Sequence, residues 1–83
     1  MDKPMHPLRV LRKEQGLTQA EFSIITNISP TIIAQVEGGF RKLSVLDMDR
    51  LNCHYGIETD VYLKQETEYR EQYRKFLIES KLN

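Results

Sequence analysis

Ser29, Thr31 and Gln35 lie close together in the chain and carry side chains that form hydrogen bonds. The amide of Gln35 can donate and accept at the same time, which suits the edge of an adenine base. The hydroxyl and methyl groups of Thr31 suit a thymine methyl group or a phosphate. Ser29, together with the backbone amides of a helix that starts at Pro30, can hold a phosphate. The same side chains also suit the solvent-exposed face of any three-helix bundle, so both interpretations stay open here.

Basic residues are unevenly distributed along this chain of 83 residues, whose net charge is zero. Residues 1–44 carry six basic and four acidic side chains, whereas residues 45–83 carry six basic and eight acidic ones. Arg9, Arg41 and Lys42 can supply the salt-dependent attraction to phosphate that dominates nucleic-acid affinity. We therefore expect an anionic partner to meet the first half of the chain, although Arg41 and Lys42 also suit an ordinary solvated loop.

Catalytic, metal-binding and membrane functions find little support in the sequence. No motif places a nucleophile beside a base, and Gly38-Gly39 does not lead into a phosphate-binding helix. Cys53, the single cysteine, forms neither an internal disulfide nor a metal site with only His6 and His54. We expect no cofactor, a buried Cys53 and two exposed histidines. No apolar run reaches the roughly 20 residues of a membrane span, and the start MDKPMHP lacks a secretory signal. These features favour a cytoplasmic protein that is not an enzyme.

Three short helices are predicted in the first half of the chain. The first covers Pro7–Gln15. Thr18 and Glu21 form a capping box, in which a hydroxyl and a carboxylate each accept a backbone N–H, and they start the second helix. Asn27 suits the left-handed turn that ends this helix. Ser29 then caps the third helix, so two short helices are joined by a three-residue turn, a pattern that inserts a helix into the major groove of DNA.

The second half predicts a fourth helix from Ser44 to Tyr55 and a last one that starts at residue 58 or 59 and extends to Ser80. In the last helix, Tyr62, Tyr69 and Phe76 recur every seven residues. This aromatic stripe either folds back on the chain or pairs with a second chain. We divide the chain into a domain over residues 1–63 and a C-terminal helical extension over residues 64–83, which is the candidate segment for dimerisation or partner binding.

The stretch from Leu8 to Leu63 resembles the lambda-repressor-like helix-turn-helix domains of the Xre family. The features that carry the resemblance are Leu8, Leu11 and Arg12, the G-L-T-Q-A-E block at 16–21, Ile28-Ser29, Ile33, Glu37, Gly39 with the basic pair that follows, and the block Met48, Leu51, Tyr55-Gly56-Ile57. The resemblance implies an all-α, five-helix domain whose third helix contacts DNA. It implies double-stranded DNA as the partner.

The resemblance also implies roles for individual residues. Gln19 would hold a phosphate and brace the third helix, and Arg12 and Glu37 would form a partly buried ion pair. The predicted DNA-binding set is Thr18, Gln19, Ser29, Pro30, Thr31, Gln35, Arg41 and Lys42. The sequence departs from the family at Pro30, which cannot read a base by hydrogen bonding.

Two hypotheses about function follow. The first is a sequence-specific transcriptional repressor of phage or mobile-element type that binds a palindromic operator as a homodimer. The second is a protein-interaction module on the same scaffold, such as an antirepressor, a modulator of another repressor or an antitoxin that binds a toxin. Apolar residues where relatives carry polar ones motivate the second hypothesis. The candidate protein-interaction residues are Ile24, Ile25, Ile32, Tyr69, Tyr73 and Phe76.

Overall fold

Five helices follow one another in the computed structural model, which describes residues 2–82. They are α1 (Pro7–Glu14), α2 (Gln19–Thr26), α3 (Pro30–Glu37), α4 (Val45–Tyr55) and α5 (Thr59–Leu82). The described part of the chain contains no strand, and the predicted all-α fold is confirmed. No helix in this part is long and apolar enough to cross a membrane. α5 continues without a break through the predicted domain boundary at residue 63. The two predicted segments begin at Met1 and end at Asn83, and both of these residues lie outside the described ones.

Local hydrogen bonds fix where the helices begin and end. The hydroxyl of Thr18 accepts the Glu21 N–H at 3.1 Å, and the Glu21 carboxylate accepts the Thr18 N–H at 2.9 Å. These hydrogen bonds lower the pKa of Glu21. Ser44 caps α4 in the same way, because its hydroxyl accepts the Asp47 N–H at 3.1 Å. α4 ends at Tyr55, and Gly56 caps it with a φ of +68°, which glycine adopts without strain. The capping residues therefore fix the helix starts independently of the rest of the fold.

One apolar core joins the five helices. α3 packs against α1 and α2, α4 packs against α2, and α5 covers α1 and α4. Phe22 and Tyr55 stack with their ring centroids 5.8 Å apart. Full burial of a side chain of this size contributes about 1.5–3 kcal/mol. The buried apolar residues are Leu8, Phe22, Ile28, Ile33, Val36, Leu43, Met48, Leu51 and Tyr62.

Three expectations about side chains are wrong. His6 is buried rather than exposed, and its Nδ1 accepts the Leu8 N–H at 3.0 Å, so it caps α1. Cys53 is exposed rather than buried, because α4 turns Met48 and Leu51 inward and Cys53 lies on the opposite side. Ser29 precedes α3 but its side chain makes no capping hydrogen bond.

Candidate nucleic-acid interface

The turn between α2 and α3 is held by four hydrogen bonds. Asn27 adopts the left-handed conformation, with φ 61° and ψ 25°, and its N–H donates to the Ser23 carbonyl at 2.8 Å. The Thr26 hydroxyl donates to the Phe22 carbonyl at 2.7 Å and accepts the Ile28 N–H at 3.3 Å. The Ser23 hydroxyl donates to the Ile28 carbonyl at 2.6 Å. The buried Thr26 and Ile28 anchor the turn, so the angle between the two helices is fixed by the chain itself.

α3 presents two different faces. Ile33 and Val36 are fully buried and attach the helix to the core. Thr31 and Gln35 are exposed one turn apart, and Pro30 is exposed at the first position of the helix. Thr31 and Gln35, which the sequence predicts to meet base edges, therefore lie on the same solvent-facing side of α3.

A buried ion pair connects α1 with the end of α3. Arg12 Nε lies 2.8 Å from Glu37 Oε2, and Arg12 Nη2 donates to Glu37 Oε1 at 2.9 Å. The third nitrogen, Nη1, donates to the Leu17 carbonyl at 2.8 Å. The hydrogen bonds to Glu37 raise the pKa of Arg12 above its ordinary value. Two parallel charge-assisted hydrogen bonds are a strong and directional contact.

Glu37 also positions the predicted phosphate ligand Gln19. Gln19 Nε2 donates to Glu37 Oε1 at 3.3 Å, and Gln19 is half-buried at the start of α2. One amide hydrogen is used in this contact, and the second is available to a phosphate. The neighbouring Thr18 is exposed. A single carboxylate thus links α1, α2 and α3 beside the exposed face of α3.

The loop after α3 places two cations beside that face. The chain folds back through the Phe40 N–H, which donates to the Gln35 carbonyl at 2.9 Å, and the buried Leu43 anchors the loop. Arg41 and Lys42 are exposed. Arg41 Nη1 donates to Gln35 Oε1 at 3.3 Å. The loop therefore brings a guanidinium group next to Gln35, an exposed hydrogen-bonding side chain of α3.

The candidate protein-interaction residues do not form one surface. On α2, Ile24 is 82% exposed and Ile25 is 43% exposed, whereas Ile32 on α3 is half-buried and packs against the core. On α5, Tyr69 meets the buried His6 edge to face at 4.9 Å. Tyr73 stacks between Tyr69 and Phe76, with ring centroids 5.8 and 6.1 Å away. The first part of the aromatic stripe therefore folds back on its own chain.

Two cations that the sequence did not single out lie near this interface. Arg70 and Arg74 of α5 line the same cleft as Arg41. Their spacing of four residues places them on one side of a helix. That spacing is visible in the sequence, but the proximity of α5 to the loop is not.

Comparison with known proteins agrees with this geometry. A family model described as Helix-turn-helix matches residues 8–62, about two thirds of the chain. No curated protein and no solved structure matches the chain. The resemblance drawn from the sequence, over residues 8–63, is confirmed. The chain therefore belongs to the lambda-repressor-like (Xre) helix-turn-helix family of DNA-binding transcriptional regulators.

Proposed function

We propose that the protein is a sequence-specific repressor that binds a palindromic operator as a homodimer. The observation that carries this proposal is the outward face of α3, where Thr31 and Gln35 are exposed while Ile33 and Val36 are buried. A helix with this arrangement can enter the major groove and present hydrogen-bonding groups to base edges.

The side chains divide between base contacts and phosphate contacts. Gln35 pairs with an adenine edge, and its hydrogen bond to Arg41 holds the amide in one orientation. Thr31 contacts a thymine methyl group or a phosphate. Gln19, braced by Glu37, donates to a phosphate, as do Thr18 and Ser29 through their hydroxyl groups. Arg41 and Lys42 follow the neighbouring backbone, and Pro30 contributes an apolar contact only.

Two copies are needed because one recognition helix is short. α3 has eight residues and is therefore about 12 Å long, which covers only a few base pairs. Two copies on half-sites about 34–36 Å apart supply the missing affinity. Residues 64–83 are the proposed dimerisation segment, because they extend α5 beyond residue 62, where the match to the helix-turn-helix family ends.

The test is a salt titration of binding to duplexes selected by the protein from a random pool. Gln35→Ala should reduce the preference for the selected sequence by about 1–3 kcal/mol, whereas Lys42→Ala should weaken selected and random duplexes alike. Lys13→Ala, which removes an exposed cation in the last turn of α1, is the control. An affinity that does not fall as salt rises would refute DNA binding by this surface.

A second candidate function is supported by one specific observation. Ile24 is 82% exposed on α2, the helix that precedes the recognition helix. Such a residue suits contact with a partner repressor or toxin, which is the protein-interaction alternative. Co-purification of the protein with the product of a neighbouring gene, lost in Ile24→Glu while DNA binding persists, would favour this function. Retention of the complex in Ile24→Glu would count against it.

A further inference from the structure

A cleft of about 690 Å³ lies between the loop after α3 and the second half of α5. Its polar lining consists mainly of three arginines, Arg41, Arg70 and Arg74, and no Asp or Glu lies among the described residues that line it. Phe40, which is 89% exposed, provides apolar surface beside these cations, together with Tyr73, Leu77 and Ile78 of α5. The cleft therefore suits an anion that carries a partly apolar backbone.

A fourth cation approaches from the start of the chain. Lys3 Nζ lies 5.6 Å from the ring centroid of Tyr73, which lines the cleft. Arg70 approaches Glu66 at 3.5 Å but keeps 52% of its side chain exposed. Within residues 2–82, Arg41 and Arg74 form no ion pair. Cations from two distant parts of the sequence, Arg41 on the loop and Arg70 and Arg74 on α5, thus line one cleft in a chain whose net charge is zero. Lys3 lies beside one of the aromatic residues of the cleft but does not line it.

We infer that this cleft is a second phosphate-binding surface, in which Arg74 and Arg70 continue the DNA contact of Arg41 past the site of α3. The inference rests on the proposed function and adds DNA-binding residues to it. Arg41 belongs to both surfaces, because it lines the cleft and donates to Gln35 on the recognition helix. A strand of DNA beside Gln35 therefore brings its next phosphates to Arg74, and its sugar carbons meet Phe40.

The geometry favours DNA over an acidic protein segment as the occupant. The cleft opens beside the face that meets the bases, so a phosphate there is continuous with the strand already bound. The loop alone supplies two cations, and the affinity of a DNA-binding protein rises with the number of phosphates that it neutralises. Arg70 and Arg74 raise the number of phosphates that the protein can neutralise, although acidic residues elsewhere keep the net charge of the chain at zero.

The expected effect is measurable. Each phosphate contact adds about 0.9 to the slope of log affinity against log salt, which is about a 3.5-fold loss of affinity over a fourfold rise in salt. Arg74→Gln should remove one such step. The double variant Arg70→Gln/Arg74→Gln should lose two phosphate contacts. Over the same salt range, the factor by which its affinity falls should be about 12 times smaller than the factor for the wild type. Arg74→Lys, which keeps the charge, should retain the wild-type slope.

The experiment uses the full chain and fluorescence anisotropy on a labelled duplex that extends beyond the α3 site on both sides. Lys75→Gln is the matched control, because it removes the same charge from the next residue of the same helix and does not line the cleft. Hydroxyl-radical footprinting should show deoxyribose positions at the flank of the site that are protected by the wild type and by Lys75→Gln but not by Arg74→Gln. A slope for Arg74→Gln equal to that of Lys75→Gln would overturn the inference and leave the proposed function intact.

Three further outcomes are decisive. Wild-type protein that shows no salt-dependent binding to any duplex would remove both the proposed function and this inference. A change in sedimentation behaviour of Arg74→Gln, with no change in the DNA footprint, would assign the cleft to a second copy and overturn the DNA contact. Unchanged DNA binding together with lost binding of a labelled acidic amphipathic peptide would assign the cleft to a protein partner and overturn it as well.

Discussion

Arg12→Met is the most informative test of what holds the interface together. The substitution removes three hydrogen bonds, two to Glu37 and one to the Leu17 carbonyl. It leaves the Glu37 carboxylate, whose side chain is 4% exposed, with the 3.3 Å contact from Gln19 as its remaining hydrogen bond within residues 2–82. Removing one partner of a buried ion pair costs about 3–5 kcal/mol.

The magnitude can be converted into a shift of the melting temperature. Unfolding entropy of about 2.1 cal/mol/K per residue over 83 residues makes a loss of about 3 kcal/mol equal to a decrease of about 17 °C. A domain of this size has a total stability of about 4–12 kcal/mol, so the variant should be close to unfolding. Thermal and urea unfolding followed by far-UV circular dichroism measure the loss.

Two variants keep this test interpretable. Arg12→Met/Glu37→Leu replaces the pair by apolar side chains and should recover most of the stability, since a buried pair is often no better than a hydrophobic replacement. Arg50→Met is the comparison variant: it also leaves a buried carboxylate, Asp47, but it removes one hydrogen bond of 2.8 Å rather than three, and Arg50 keeps about a third of its side chain exposed, so it should cost less than Arg12→Met. A loss below about 1 kcal/mol for Arg12→Met, or a double variant no more stable than the single one, would refute the reasoning.

Three other predictions concern stability. Burial lowers the pKa of His6 below 6.5, so the unfolded chain binds a proton more readily and the free energy of unfolding should fall as the pH drops below 6.5. His6→Asn keeps a hydrogen-bond acceptor for the helix start but removes the titrating group, so its urea midpoint should decrease less below pH 6.5 than that of the wild type. An equal decrease would show that His6 is not the group responsible. Asn27→Ala should lower the unfolding free energy by about 1 kcal/mol and Asn27→Gly should change it by less than about 0.5, because φ is 61°; equal losses would contradict this. Ile24→Glu should stay within about 0.5 kcal/mol of the wild type, whereas Ile28→Ala should lose about 2–5 kcal/mol in the same urea assay; a large loss in Ile24→Glu would show that this side chain is packed.

The helix boundaries were predictable because the interactions that set them are local. Thr18 and Glu21 cap α2 from within four residues, and Ser44 does the same for α4. Asn27 enters the left-handed region at the position where the sequence requires a tight turn. Signals of this kind depend on neighbours in the chain, so they do not require knowledge of the tertiary packing.

The errors have two different origins. Cys53 was expected to be buried because cysteine usually is, but Met48 and Leu51 set the inward side of α4 and residue 53 is about 200° away from residue 51. The helical period of α4 can be read from the sequence, and it decides the burial of Cys53 more strongly than the general tendency of cysteine to be buried. His6 has no such signal, because histidine is uncommon as a helix cap and its burial depends on Tyr69, which is far along the chain.

The candidate site was predictable in part for the same reason. Thr31 and Gln35 lie on one helix, so their relation follows from the helical period, and the resemblance supplied their expected role. That Arg74 and Arg41 line the same cleft depends on how a continuous α5 packs across α1 and α4. Side chains 33 residues apart in sequence give no local signal that they share a cleft.

The exposed Cys53 has a practical consequence for every measurement of assembly. It is the single thiol of the chain and lies on the outer side of α4, so air oxidation can join two molecules through a covalent cross-link. Such a cross-linked product has the mass of a dimer even if the chain has no non-covalent dimer interface. Reductant therefore has to be present when the oligomeric state is measured by ultracentrifugation. Under reducing conditions the same sulfur is a unique attachment point for a dye, so energy transfer between labelled copies would test whether two of them bind the same duplex.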